Sequence, residues 1–349
     1  MKRRTFLQFS SVGAASMLVG TAGVLNWQSR AYAATVAKTF VITEGFITQP
    51  DGVDVYFRGF SNNSASLNVP GESLIVNEGD TVQITIDNTL NTDHSFVIDA
   101  LGVNETITAG NRRTFSFTAS KPGSYLYYDG LNAPDNRLSG LHGGIAVMPS
   151  GSNNQVYAGS KTFKANHQHF WVFHDIDPAW HTAFQNNRNP PNSFVARYFT
   201  LNGLSGRPPG APGNGDPAID AMHDPRSALH GHLGDRTLIR CLNAGPAKHS
   251  IHIHANHMEW LTTNSKPRAD VWYKDVVPLD ANGGGVDVIF PFEPVPDAWP
   301  PMTNSTLVQA ESEGRHVAYP MHLHDEMTQT AGGGLYMFGT MTDVFYVAK

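Results

Sequence analysis

Four histidines crowd one short stretch, His249, His252, His254 and His257, and two more form His322-Leu323-His324 near the C-terminus. Imidazole is the commonest side-chain ligand for copper and zinc and needs no thiolate beside it, so histidines at short, fixed spacing point first to metal binding. Ser250–Ile253 alternates polar and apolar residues, the pattern of a half-buried strand. Side chains on a strand point to alternate faces, so Ser250, His252 and His254 share one face, and His322 and His324 share another. Four imidazoles converging from two adjacent strands are costly to bury unless metal or hydrogen bonds satisfy them. His252, His254, His322 and His324 are therefore expected to bind metal. His249 and His257 are further candidates, His257 either capping the site or facing solvent. Asp325 and Glu326 follow the last pair, where a carboxylate can orient a ligand or pass a proton.

The elements that must position these residues are short and β-like. Gly (33) and Pro (22) punctuate short alternating runs such as Thr39–Ile42, Val53–Phe57, Thr81–Ile86 and Thr114–Phe117. Such punctuation predicts an all-β sandwich, and no long helical period interrupts it. A repeat sets the architecture. Gly79-Asp80, a strand, Asn88 and His94-Ser95 recur as Gly234-Asp235, a strand, Asn243 and His249-Ser250, at a constant offset of 155 residues. Tyr125–Tyr128 with Gly140-Leu141 recurs as Tyr319–His322 with Gly334-Leu335, at an offset of 194. The chain is expected to be two copies of one β-domain, residues 34–150 and 151–349, joined by the polar run Pro149–Ala158. The second copy carries an extra loop, Asn186–Ala221, rich in Pro, Gly and Asn, which should lie on the surface.

Residues 1–33 read as an export signal: Arg3-Arg4 in a twin-arginine pattern, an apolar stretch from Val12 to Leu25, and Ala31-Tyr32-Ala33 as the cleavage site. The expected location is periplasmic or otherwise extracytoplasmic. Removing this segment, with four basic residues and no acid, takes the net charge from −6 to −10. An acidic balance argues against nucleic acid or an anionic membrane as the main partner, and no later stretch is long and apolar enough to span a bilayer. The single cysteine, Cys241, excludes an internal disulfide, so packing and metal must hold an exported chain together.

The Gly-Asp turn, the Asn-Ala-Gly-Pro step, the His-x-x-His-x-His strand and the late His-x-His together resemble the multicopper oxidases. Two-domain laccases and copper nitrite reductases, built from tandem cupredoxin-like Greek-key β-sandwich domains, are the nearest in layout. The resemblance runs over essentially the whole mature chain, including Phe170–Asp177 and Lys274–Leu279. It implies copper as cofactor, with His249 matching a type 1 ligand, His252 a type 2 ligand, and His254, His322 and His324 type 3 ligands. It also implies a homo-oligomer, a trimer with copper between subunits.

Departures from the pattern narrow what the resemblance implies. Leu323 stands where the type 1 cysteine belongs and Thr328 where the next histidine belongs. A blue type 1 copper needs that thiolate. Cys241, in the run Thr237–Leu242, reads as a small buried hydrophobe instead. In the first copy the partners of His252, His254, His322 and His324 are Val97, Asp99, Tyr128 and Gly130, and only His94 survives, opposite His249. By the resemblance, Asp129 stands at a type 1 cysteine and Tyr128 at a type 2 histidine. His94, Asp99 and His142 make a possible second cluster, either structural or meeting the histidines of a neighbouring subunit. His223, His230 and His232 read as a solvated loop, with metal binding by His230-x-His232 at the edge of the site as the alternative.

The expectation is thus an exported copper protein without type 1 copper, an oxidoreductase acting on a small molecule or metal ion through a type 2 or type 3-like histidine site. The alternatives are a copper-handling protein without catalysis and a pseudo-oxidase scaffold of the cell envelope.

Overall fold

A computed structural model describes residues 33–206 and 222–349. The expected export segment lies outside the described residues except for Ala33, as does the distal part of the Asn186–Ala221 segment. No helix among the described residues is long and apolar enough to cross a membrane.

Alternation in sequence becomes alternation in burial. In the strand Thr81–Asn88, Val82, Ile84 and Ile86 are buried while Thr81 and Gln83 face out. Burying a side chain of this size stabilises by about 1.5–3 kcal/mol. One sheet runs Asp54–Ser61, Thr35–Thr48, Thr81–Asn88, Arg112–Thr118 in spatial order. Facing it, a second runs Gly71–Asn77, His142–Met148, Gly123–Tyr128, His94–Ile98, Val103–Ile107. Between them sits an aromatic core of Phe40, Phe60, Phe96 and Tyr127.

The same order returns in the second half. Tyr198–Leu201, Gln168–Ile176, Arg236–Asn243 and Gly285–Pro291 repeat the first sheet, extended by the hairpin strands Met258–Thr263 and Lys266–Lys274. Leu229–His232, Met341–Val347, Val317–Leu323, His249–Ile253 and Val276–Leu279 repeat the second. Each half also keeps two parallel pairings in a mostly antiparallel arrangement, at equivalent places. Among the described residues no sheet mixes strands from the two halves, and the expected pair of tandem cupredoxin-like sandwiches is what the chain forms.

The repeated motifs keep their local geometry. Gly79 and Gly234 adopt φ of 91° and 89°, the left-handed region where a side chain would be strained. Asp80 accepts the Asn77 N–H at 2.8 Å, and Asp235 accepts the His232 N–H at 3.1 Å, each closing its Gly-Asp turn. Asn88 donates to the Thr92 carbonyl at 2.9 Å and Asn243 to the Ala247 carbonyl at 2.7 Å. These side-chain bonds hold the chain in the bend that delivers His94 and His249 to the start of their strands.

Three expectations need correction. The offset of 194 holds for Tyr128 and His322 but not for Gly140-Leu141, because Tyr128 pairs with His142 whereas His322 pairs with Met341. Gly334-Leu335 instead leads into a short bridge, and five extra residues precede the last strand of the second copy. The Asn186–Ala221 segment is not wholly a surface loop, since Tyr198–Leu201 is a buried strand on the edge of the Gln168–Ile176 sheet. Val156, in the polar run between the halves, is buried against Met148, Leu238 and Ile289.

Candidate metal centre

The strands His249–Ile253 and Val317–Leu323 lie side by side, antiparallel, with His252 directly opposite His322. Backbone bonds from His254 N–H to the Pro320 carbonyl (3.0 Å) and from His324 N–H to the Ser250 carbonyl (2.9 Å) carry this register past the ends of the ladder. Two-residue periodicity then does what the sequence predicts: Ile251, Ile253 and Leu323 enter the core, and the four histidines share the opposite face.

On that face, His254 Nε2 and His322 Nε2 are 3.2 Å apart. Ligand nitrogens of His252, His254 and His322 all lie within 4.8 Å of one another. The His324 ring stands 4.7 Å from that of His252 and nearly parallel to that of His322 at 5.8 Å, which places it at the rim of the trio. His252 Nδ1 donates to the Asp275 carbonyl at 3.1 Å, and His322 Nδ1 donates to the Leu323 carbonyl at 3.0 Å. A carbonyl only accepts, so each Nδ1 carries the proton and each Nε2 presents a lone pair. Such outer bonds orient metal-binding histidines and fix their tautomer. Burial lowers the pKa of His252 and of His254, and the neighbouring imidazoles push in the same direction. Both shifts favour the neutral form that a ligand must have. His254 is exposed, so the cluster opens to solvent.

Other candidates lie elsewhere. His249 sits on the buried face of its strand, with Nε2 2.8 Å from Asp175 Oδ1 and Nδ1 3.9 Å from Asp325 Oδ2. Removing its partner by Asp175→Ala should cost about 1–3 kcal/mol, read as a lower urea midpoint, because a fully buried imidazole then loses its hydrogen bond. His257 is exposed and outside the cluster. Asp325 and Glu326 are exposed in the turn after His324.

His94, Asp99 and His142 do not converge. His94 is buried with Nδ1 2.6 Å from Asp129 Oδ2 and Nε2 3.0 Å from Thr92 Oγ1. Asp129 is itself saturated by Ser95, Leu131 and Asn136. The pair is a closed structural unit at the place where the resemblance would have a type 1 centre. Asp99 accepts the Tyr128 hydroxyl at 2.9 Å. His230 and His232 belong to the strand Leu229–His232 rather than a loop, His230 stacking on Phe345 and His232 meeting the Val347 carbonyl. Cys241 is fully buried, and burial raises its pKa well above the usual thiol value, so it stays a neutral thiol in the core. Sequence reasoning missed Asp175 and the Asp275 carbonyl, although both lie in the stretches Phe170–Asp177 and Lys274–Leu279 that carried the resemblance.

Two sandwiches of equal strand order, with a histidine cluster on one face of the second, define a tandem cupredoxin-type protein. Residues 68–138 match the cupredoxin-like domain family. The chain is 33% identical over 129 residues to the copper-containing nitrite reductase of Neisseria meningitidis, covering 34% of this chain and 32% of that one. The chain thus spans about a third of the curated relatives it matches. Among solved structures, the blue copper oxidase of Nitrosomonas europaea is similar with a TM-score of 0.66 and 18% identity, over 90% of this chain and 86% of the other. The copper nitrite reductase of the same organism is similar at 0.60 and 21%, over 89% and 94%.

Proposed function

We propose that His252, His254 and His322, with His324 at the rim, bind copper, and that the chain is a copper-dependent oxidoreductase without a type 1 centre. The observation that carries this reading is the 3.2 Å approach of His254 Nε2 to His322 Nε2. Two nitrogens bound to one ion at about 2.0–2.1 Å each sit roughly that far apart. The donor set fits copper: imidazoles only, each tautomer of His252 and His322 set by a backbone carbonyl, and an open side.

Copper, when bound, supplies one-electron redox chemistry and a position for substrate or dioxygen. The chain's own residues do the rest. The Asp275 and Leu323 carbonyls fix the direction of His252 and His322. Exposed Asp325 and Glu326 stand in the following turn as candidate proton donors or acceptors. Leu323, fully buried, fills the place of a thiolate, so no intramolecular relay at type 1 potential is available. We further infer domains at 34–150 and 151–349, the first depleted of ligands, and export of the folded protein to the periplasm. We also infer a trimer in which Asp99, the exposed member of the His94, Asp99 and His142 group, meets the histidine cluster of a neighbouring subunit. The exposure of His254 also favours a second reading, a copper-handling protein that passes the ion on without turnover.

Purified protein should take up copper and show no intense blue band from a thiolate–copper bond; an intense blue colour would overturn the type 1 argument. Oxygen consumption or nitrite reduction with Cu(I), Fe(II), phenols or nitrite should exceed that of a His322→Ala variant. Uptake of copper with no turnover of any of these would leave the handling role instead.

A further inference from the structure

Three histidines are buried where the two sandwiches meet, and none belongs to the exposed cluster. His142 begins a strand of the first sandwich, His174 lies in Gln168–Ile176 of the second, and His181 lies in the helix Pro178–Gln185 that follows. All three are buried. The rings of His142 and His174 are 4.6 Å apart, and those of His174 and His181 are 6.2 Å apart. Phe57 closes the group, 4.5 Å from the His181 ring and 6.3 Å from that of His174.

Hydrogen bonding gives each ring one proton and no place for a second. His142 Nδ1 donates to the Arg137 carbonyl at 2.9 Å, His174 Nε2 to the Leu138 carbonyl at 3.0 Å, and His181 Nδ1 to the Tyr56 carbonyl at 2.6 Å. A carbonyl only accepts, so these nitrogens carry the protons. His142 Nε2, His174 Nδ1 and His181 Nε2 are buried with no hydrogen-bond partner among the described residues. A proton added to any of them makes an imidazolium whose new N–H has no acceptor as the rings stand, and a buried charge without a partner is costly.

The charged groups around the rings do not offset that cost. The Arg137 guanidinium, which donates to the Ala244 carbonyl at 3.1 Å and to Asn282 Oδ1 at 2.6 Å, opposes a second charge on His142 and on His174. Arg58, on the strand Asp54–Ser61, is another cation, bonded to the Phe184 carbonyl at 2.9 Å. Among the carboxylates, Asp177 favours a charge on His181 but already accepts the Ala179 and Val195 N–H groups. Asp175 is turned to His249, Glu44 takes the Tyr56 hydroxyl, and Asp135 opens the short helix that carries Arg137.

We propose that His142, His174 and His181 form an acid-sensitive latch, closed at neutral pH, whose protonation frees the helix Pro178–Gln185 from the first sandwich. Clustered histidines that take up protons are a common way for an interface to sense pH. Each sandwich keeps its own core, so this end of the seam can open while both stay folded. Burial holds His142 and His181 at about 4, below the usual 6.5, and His174 well below it. The open form therefore binds more protons. Closure is complete above about pH 6.5 and is lost as the pH falls towards about 4, by up to about 300-fold for each ring held at about 4.

Hydrogen exchange of the full chain, corrected for the intrinsic effect of pH, tests this. Amides of Pro178–Gln185 should exchange at least about tenfold faster at about pH 5 than at about pH 7, while those of Val82, Ile84 and Val288 stay protected. A helix whose exchange ignores pH would overturn the proposal, as would loss of protection in the core strands at the same pH. The combined change His142→Asn, His174→Gln, His181→Asn keeps an N–H for each carbonyl but removes the basic nitrogens. It should flatten the pH profile, and an unchanged profile would also overturn the proposal. Should that variant fail to fold, the imidazole nitrogen shifts of the parent decide: rings that take up protons near the usual pH while the helix stays protected rule the latch out.

Discussion

Changing His254 and His322 together to alanine should weaken copper binding at the exposed cluster by more than about 100-fold, while leaving the fold intact. Outer-sphere partners of a metal-bound histidine are already worth about 10–100-fold in affinity, so the loss of two direct ligands exceeds that. Neither side chain is fully buried, and each points away from the core that Ile251, Ile253 and Leu323 fill. Their removal should therefore move stability by no more than about 0.5 kcal/mol. His257→Ala is the matched control: it is as near in sequence, lies outside the cluster, and should leave affinity unchanged. Chelator competition gives the affinities, and thermal melts of the metal-free proteins give the stabilities. Equal copper affinity in the double variant and the parent would remove the cluster as the site.

That site was legible because strand periodicity is local. His252-x-His254 and His322-x-His324 each need only one strand to present both rings on one side, and the shared repeat says the two strands are neighbours. The strand order of the two sandwiches followed from the same repeat. Where the sequence reading stopped, the determining partner is remote. His249 looks like one more histidine of the series, yet an offset of three puts it on the other face, where Asp175, 74 residues earlier, takes its Nε2. His94 is settled in the same way by Asp129, 35 residues later. His142, His174 and His181 come from a strand, a second strand and a helix, so no single period links them. The five-residue insertion before Met341 was invisible because Gly334-Leu335 imitates Gly140-Leu141 without taking its place in the sheet.

Asp287→Ala should destabilise the protein by about 3–5 kcal/mol, the expected result of stripping the partner from a buried charge. Arg240 and Asp287 are both fully buried, with Arg240 Nη1 3.6 Å from Asp287 Oδ1. Arg240 donates to Ser124 Oγ at 2.7 Å and to Gln168 Oε1 at 2.9 Å, and Asp287 accepts from Ser124 at 2.5 Å and Thr262 at 2.6 Å. Ser124 belongs to the first sandwich and the other four to the second, so the network crosses the seam between them. Burial lowers the Arg240 pKa and Asp287 opposes this, but a guanidinium stays charged at neutral pH. Without Asp287, that charge keeps only neutral acceptors, and Ser124 and Thr262 lose theirs. Asp287→Asn retains the shape and an acceptor for these hydroxyls, so it should cost clearly less. If urea unfolding gives the two variants equal losses, the charge is not what matters at this seam; if neither loses stability, the network contributes nothing. The expected ordering, alanine well below asparagine and asparagine below the parent, would identify a buried ion pair as the element that couples the two sandwiches.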